Sequence, residues 1–219
     1  MDERERTYKS RDERHAQLLA VGLQLFSTLP YDDVSIDAIA AGAGVSKGLL
    51  YHYFGSKRAL YVAVVQYAAG ELLLALAPDP KRPGVDNARR GLEAYLGFVS
   101  ERADAYLTLM SGGLGADPEV QATLEATREV IAAQLLVGAK LDKAGPAARL
   151  AARAWLGGVE AGSIDWLRRR DVDMAVLVDL FSASLFVHLL AAARLSGDTS
   201  GVLDGLPLLA GLLKVPPPA

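Results

Sequence analysis

The sequence predicts an all-α fold. Strand signals are nearly absent, and Ala, Leu, Arg and Glu dominate the chain. Apolar residues recur at spacings of three and four, the period of a helix with one buried face. Gly, Pro and capping Ser residues fall between the periodic runs, and about nine helices result.

The elements follow in order. From about Arg11 to Leu29, Leu18, Gly22, Leu25 and Leu29 share one helical row, and Leu19, Leu23 and Phe26 form the next. Pro30 stops that helix. Ser35 can cap a short second helix, Ile36 to about Gly42, with Asp37 favourably placed in its first turn. Ser46 can cap a third helix ending near Tyr53. Ser56 can cap a long fourth helix running to about Ala77. Pro78, Pro80 and Pro83 mark a boundary. Five further helices are expected near 86–102, 103–115, 117–140, 146–170 and 174–195. Asp117-Pro118 and Gly145-Pro146 read as helix starts. The expected organisation is a flexible arm at 1–10, a three-helix domain at 11–56 and a second helical domain at 57–213, with the fourth helix as connector. A disordered tail follows at 214–219. No internal repeat is visible.

Composition narrows the function. The chain has 219 residues, 51% of them apolar, and a net charge of -3. Any nucleic-acid role must therefore rest on a local basic patch. There is no cysteine, which excludes disulfides, thiolate metal sites and Cys nucleophiles and suits a cytoplasmic protein. The N-terminus MDERERTYKSRDERH has no apolar core of a secretory signal. Met174 to Ala193 is about long enough to span a bilayer, but Asp179 and His188 interrupt it. It reads as a buried or interfacial helix, and no membrane partner is expected.

The stretch Ala41 to Phe54, AGAGVSKGLLYHYF, is the most informative. A glycine-rich loop with Lys can hold a nucleotide phosphate. However, Lys47 precedes Gly48 instead of following it, and Gly42 and Gly44 do not complete the dinucleotide pattern. The segment in front is helical, so no strand presents the loop. A helix-turn-helix meets every requirement instead. Ala40 lets two helices approach, Gly44 turns the chain, and Ile39, Val45 and Leu50 are placed to bury. The third helix then exposes Lys47, Gly48, Tyr51 and His52, a slim face with donors that suits a major groove. From Ser35 to Arg58 the charges are Lys47, Lys57 and Arg58 against Asp37 alone, so the patch is locally positive.

The run LFSTLPYDDVSIDAIAAGAGVSKGLLYHYFGSKRALYVAVV resembles the DNA-binding domain of TetR-family transcriptional regulators. The resemblance covers about residues 10 to 65, through "I-A-xx-A-G-V-S-x-G", the following Tyr and Phe, and the downstream Lys. Pro30 departs from the family, which usually has Gly there. It should alter the turn after the first helix and leave the recognition surface intact. The resemblance implies roles for seven residues: Ser35, Ser46, Lys47, Gly48, Tyr51, His52 and Lys57. Ser35 would donate to a DNA phosphate, or only cap its helix. Ser46 starts the recognition helix. Lys47 would meet a base edge or a phosphate, Gly48 would let the helix sit close, and Tyr51, His52 and Lys57 would contact phosphates. Tyr53 and Phe54 are assigned to packing. Arg4, Arg6 or Lys9 could reach a minor groove, against the plainer reading of a solvated arm.

In the second half, Tyr95, Phe98, Tyr106, Met110, Trp155 and Trp166 are candidates to line a lipophilic effector site, each of them otherwise simply bundle core. Gly112-Gly113 and Gly115 could make room or a hinge. The last two helices suggest a dimer interface of Gly158, Gly162, Leu180, Phe181, Ser184 and His188, two helices from each chain forming a four-helix bundle. His15, His52 and His188 lie far apart and make no metal site. No cofactor is implied, and no nucleophile–base pair supports an enzyme. The reading is a cytoplasmic, effector-responsive homodimer that regulates transcription from a near-palindromic operator, favoured as a repressor. The competing reading is a helical lipid or small-molecule carrier that no longer binds specific DNA.

Overall fold

The computed structural model describes residues 10–111, 116–143 and 145–196. The expected arm with Arg4, Arg6 and Lys9, the glycines at 112, 113 and 115, and the tail at 214–219 lie outside these residues. Within them the chain is all-helical. The helices are α1 (Arg11–Thr28), α2 (Ile36–Gly42), α3 (Lys47–Phe54), α4 (Lys57–Leu76), α5 (Gly84–Glu101), α6 (Ala103–Met110), α7 (Pro118–Gly138), α8 (Gly145–Arg169) and α9 (Met174–Ser196). A 3-10 turn, Tyr31–Asp33, separates α1 from α2. Pro30, with φ −55°, opens that turn.

The chain forms two compact units. The first takes Met1–Gly70 and Arg102–Thr123, and the second takes Glu71–Glu101 and Leu124–Ala219. Tyr106 and Met110, on α6, thus belong with the helix-turn-helix, whereas Tyr95, Phe98 and both tryptophans belong to the second unit.

In the first unit, α1 starts on a capping box. Ser10 Oγ accepts from Glu13 N–H at 3.1 Å, and Glu13 Oε2 accepts from Ser10 N–H at 2.7 Å. Leu18, Leu19 and Phe26 are buried, but Leu29 caps the helix and is exposed. Gly22 lets α4 come close, because a Cβ there would lie 2.7 Å from Val64 Cγ2. Ile39, Leu50 and Leu60 complete this core with no exposed surface.

In the second unit, α8 and α9 pack along their length and α5 packs on α9. Leu92, Leu96 and Val99 of α5 are buried, as are Trp155 and Val159 of α8 and Val178, Phe181, Leu185 and Leu189 of α9. Arg128 and Glu160, 2.7 Å apart, and Arg153 and Glu125, 2.9 Å apart, zip α7 to α8. Two helices, Lys57–Leu76 and Met174–Leu195, are long and apolar enough to cross a membrane. Core helices of soluble proteins meet the same criterion, and each of these has buried core positions.

Candidate nucleic-acid interface

The turn between α2 and α3 is a Schellman motif. Val45 N–H donates to Ala40 O at 2.9 Å and Gly44 N–H donates to Ala41 O at 3.1 Å. Gly44 sits at φ +64°, where an L side chain is strained, so glycine is required there. From α1, Gln17 Nε2 donates to Ala43 O at 3.1 Å and pins the turn. Ser46 then caps α3, its Oγ accepting from Leu49 N–H at 3.2 Å. Leu50 turns inward and is fully buried. Helical periodicity therefore forces Lys47, Gly48, Tyr51 and His52 outward, and all four are exposed.

Each residue adds something separate. Tyr51 is 43% exposed, large for an aromatic, and its hydroxyl is available. A Cβ on Gly48 would meet only Ser46 Oγ, at 4.0 Å, so no internal packing demands glycine there. Its effect is to thin the outer face. Ser35 Oγ accepts from Ala38 N–H at 3.0 Å, which leaves its O–H proton to donate outward. Tyr53 and Phe54 are half-buried against His15, with ring centroids 6.0 and 5.1 Å away, as expected for packing residues.

Lys57 is held in place by an aromatic cluster. Its Nζ lies 4.2 Å above the Tyr31 ring and donates to Asp32 O at 3.4 Å. Tyr31 stacks on Phe26, and both meet Tyr61 edge-on. Burial, with the Asp32 charge adding to it, pushes the Tyr31 phenol up. Burial does the same to Tyr61, so both rings stay neutral. The Pro30 turn thus shapes the platform beneath Lys57.

The locally positive patch is less positive than the sequence suggests. Lys47 Nζ lies 2.9 Å from Asp37 Oδ2. Hydrogen bonding to Asp37, and its charge, hold the Lys47 ammonium above its ordinary range. Arg58 is engaged by Asp117 and Glu119. Asp37 reads from sequence as a helix-dipole residue only. The signal for more was present, since the turn brings the first turns of α2 and α3 together and Asp37 is the single acid in the segment.

The remaining candidates lie mostly in the second unit. Trp155 Nε1 donates to Phe181 O at 3.0 Å and to Ser184 Oγ at 3.2 Å. Trp166 Nε1 donates to Val172 O at 2.8 Å and lies under the Arg170 guanidinium. Both indoles are buried with their N–H groups engaged by the second unit's own backbone and side chains. Tyr95 and Phe98 remain half-buried on α5, and Tyr106 and Met110 half-buried on α6.

The dimer candidates divide into two rows. Phe181 is buried, and its Cζ lies 2.8 Å from where a Gly162 Cβ would stand. Gly162 therefore makes room for Phe181 within the chain. Ser184 and His188 are half-buried, and His188 Nδ1 lies 2.8 Å from Ser184 O. The outward row of α9 is instead Val176, Leu180 and Val187. On α8 the open positions are Gly157 and Gly158, with nothing within 4 Å of an added Cβ. One residue turns a helix by about 100°, which separates Leu180 from Phe181.

A short helix packed behind an exposed second helix, joined by a glycine turn, defines a helix-turn-helix protein. Residues 18–64 match the family described as bacterial regulatory proteins, tetR family, and residues 86–188 match the tetracyclin repressor-like C-terminal domain. A TetR-family regulator from Streptomyces coelicolor has 30% identity and a TM-score of 0.77, over 91% of this chain and 90% of that one. The chain belongs to the TetR family. The transcriptional activator FasR of Mycolicibacterium smegmatis is 33% identical over 122 residues, 54% of this chain and 55% of that protein. The chain thus spans about half the length of the curated relatives it matches. FadR from Bacillus subtilis, solved with stearoyl-CoA, shares the fold with a TM-score of 0.62 at 18% identity, over 80% of this chain and 97% of that one.

Proposed function

We propose that the chain is a dimeric transcriptional regulator that inserts α3 into the major groove of duplex DNA and is released by a lipophilic effector. The observation that carries this is the exposed row Lys47, Gly48, Tyr51 and His52, presented by a turn that requires glycine at 44. Ser35, Ser46 and Lys57 flank the row and add donors toward the phosphates. The protein works where the chromosome is, in the cytoplasm, by binding and not by catalysis.

Dimerisation is assigned to the open small face of α8 and the Val176, Leu180 and Val187 row of α9, which leave apolar surface uncovered. A two-fold dimer presents two α3 helices to successive turns of one DNA face, so the operator is a near-palindrome. The effector shifts the protein between DNA-binding and released states by its differential affinity for the two. An acyl chain is the class favoured, since FadR binds stearoyl-CoA and Tyr95 and Phe98 offer apolar surface on α5. Release then relieves repression. FasR bears the name of an activator, and operator position sets that sign.

In vitro selection with the full chain tests this reading. It should enrich a near-palindrome, and long-chain acyl-CoA should release the enriched duplex. A chain that binds acyl-CoA but enriches no duplex is a carrier instead.

A further inference from the structure

The charges around α3 raise a question that the contact row leaves open. Of the three cations between Ser35 and Arg58, Arg58 is held by Asp117 and Glu119, and Lys47 is held by Asp37. Only Lys57 is left without an ion pair among the described residues; it rests on the Tyr31 ring. The pair on the DNA-facing side is Asp37 with Lys47, and both side chains are at least half exposed.

An exposed ion pair contributes about 0–1 kcal/mol, so fold stability is not a sufficient reason for an acid here. Asp37 also stands in the first turn of α2, two residues from Ser35, where phosphates are expected to lie. A carboxylate at that place repels phosphates and lowers the yield of sequence-independent contact.

We propose that Asp37 is a specificity-determining residue, which holds Lys47 at 2.9 Å and cancels its sequence-independent attraction for DNA phosphates. With the pair closed, α3 gains no counterion-release advantage from Lys47 on arbitrary DNA. The pair is solvent-exposed and opens easily where a base edge offers Lys47 an acceptor in good geometry. Asp37 therefore weakens wrong sites more than the right one, the repulsive half of a discrimination. This rests on the reading that α3 faces duplex DNA.

The test uses the full chain, a duplex of scrambled sequence and the duplex enriched by in vitro selection, each across a salt series. Wild type, Asp37→Asn, Lys47→Ala and the double variant are compared. On the scrambled duplex, Asp37→Asn should steepen the slope of log K against log salt by about 0.9. Its advantage over wild type should grow about threefold between about 0.2 and about 0.05 M salt. The enriched duplex should gain less, so the specificity ratio falls. Lys47→Ala leaves the Asp37 carboxylate uncompensated and should weaken scrambled-duplex binding in wild type, and in the Asp37→Asn background it should remove the whole gain, so that the double variant binds the scrambled duplex like wild type. Asp37→Ser repeats the comparison if Asp37→Asn lowers the melting temperature. An unchanged slope in both variants, or an equal gain on both duplexes, overturns the assignment of Asp37 alone. Enrichment of no duplex at all overturns the DNA-binding reading together with it.

Discussion

Arg58 grips Asp117 through two parallel hydrogen bonds, Nε to Oδ2 at 2.6 Å and Nη2 to Oδ1 at 2.8 Å. The same guanidinium reaches Glu119 Oε1 at 2.9 Å. Asp117 Oδ1 also accepts from Glu119 N–H at 2.9 Å, so one carboxylate both caps α7 and anchors the first turn of α4. Hydrogen bonding from Arg58 holds the Asp117 carboxyl below its usual value of 3.8.

That relationship fixes a pH dependence. The folded pKa of Asp117 lies below the unfolded one, so the unfolded chain binds the extra proton in the window between them. The contribution is full above pH 3.8 and is lost as pH falls through the folded value. Urea unfolding from neutral to acid pH should show wild type more stable than Asp117→Asn at neutrality, with the gap closing at the acid end. A constant gap would mean that Asp117 is not held by Arg58.

Gly162 and Gly158 lie one turn apart on α8 and should respond oppositely. An alanine at 162 would press its Cβ to 2.8 Å from Phe181 Cζ and should cost about 1–3 kcal/mol by chemical unfolding. An alanine at 158 meets nothing within 4 Å and should stabilise the isolated chain by up to about 1 kcal/mol through helix propensity. Equal effects at the two sites would refute this packing.

The dimer assignment makes its own demand. Leu180→Asp should give monomers by light scattering while the helical signal and melting of the monomer persist, because Leu180 is 61% exposed. Phe181→Asp should unfold the second unit instead, since it charges a buried ring. A Leu180→Asp chain that stays dimeric places the interface elsewhere.

Of the three cations between Ser35 and Arg58, Lys57 is the one with no ion pair among the described residues, and its ammonium sits on Tyr31. Lys57→Ala should weaken binding to all duplexes alike and flatten the salt slope by about 0.9. An unchanged slope would remove Lys57 from the phosphate contacts.

Much of this architecture was legible in the sequence because local chemistry dictated it. Ser35, Ser46 and Ser56 each cap the helix expected of them, and Gly44 holds the positive φ that its turn demands. The row of α3 followed from periodicity alone once Leu50 was set inward. What escaped were pairings that periodicity does not encode. Asp37 with Lys47 and Arg58 with Asp117 join residues 10 and 59 apart in sequence. The 3-10 turn at Tyr31–Asp33 was hidden by its brevity. On α9, apolar residues in both the outward and the inward row blur the two, so sequence does not separate Phe181 from Leu180. Composition does not reveal either that Phe181 O and Val172 O take the N–H groups of the two tryptophans.

The central claim is that the outer face of α3 meets DNA phosphates, and the affinity of Tyr51→Phe for the enriched duplex tests it most directly. The substitution removes one hydroxyl from a ring that is 43% exposed and leaves the fold intact. Loss of one hydrogen bond to a charged phosphate should weaken binding about tenfold or more at fixed salt. An affinity equal to wild type across the salt series would contradict the account.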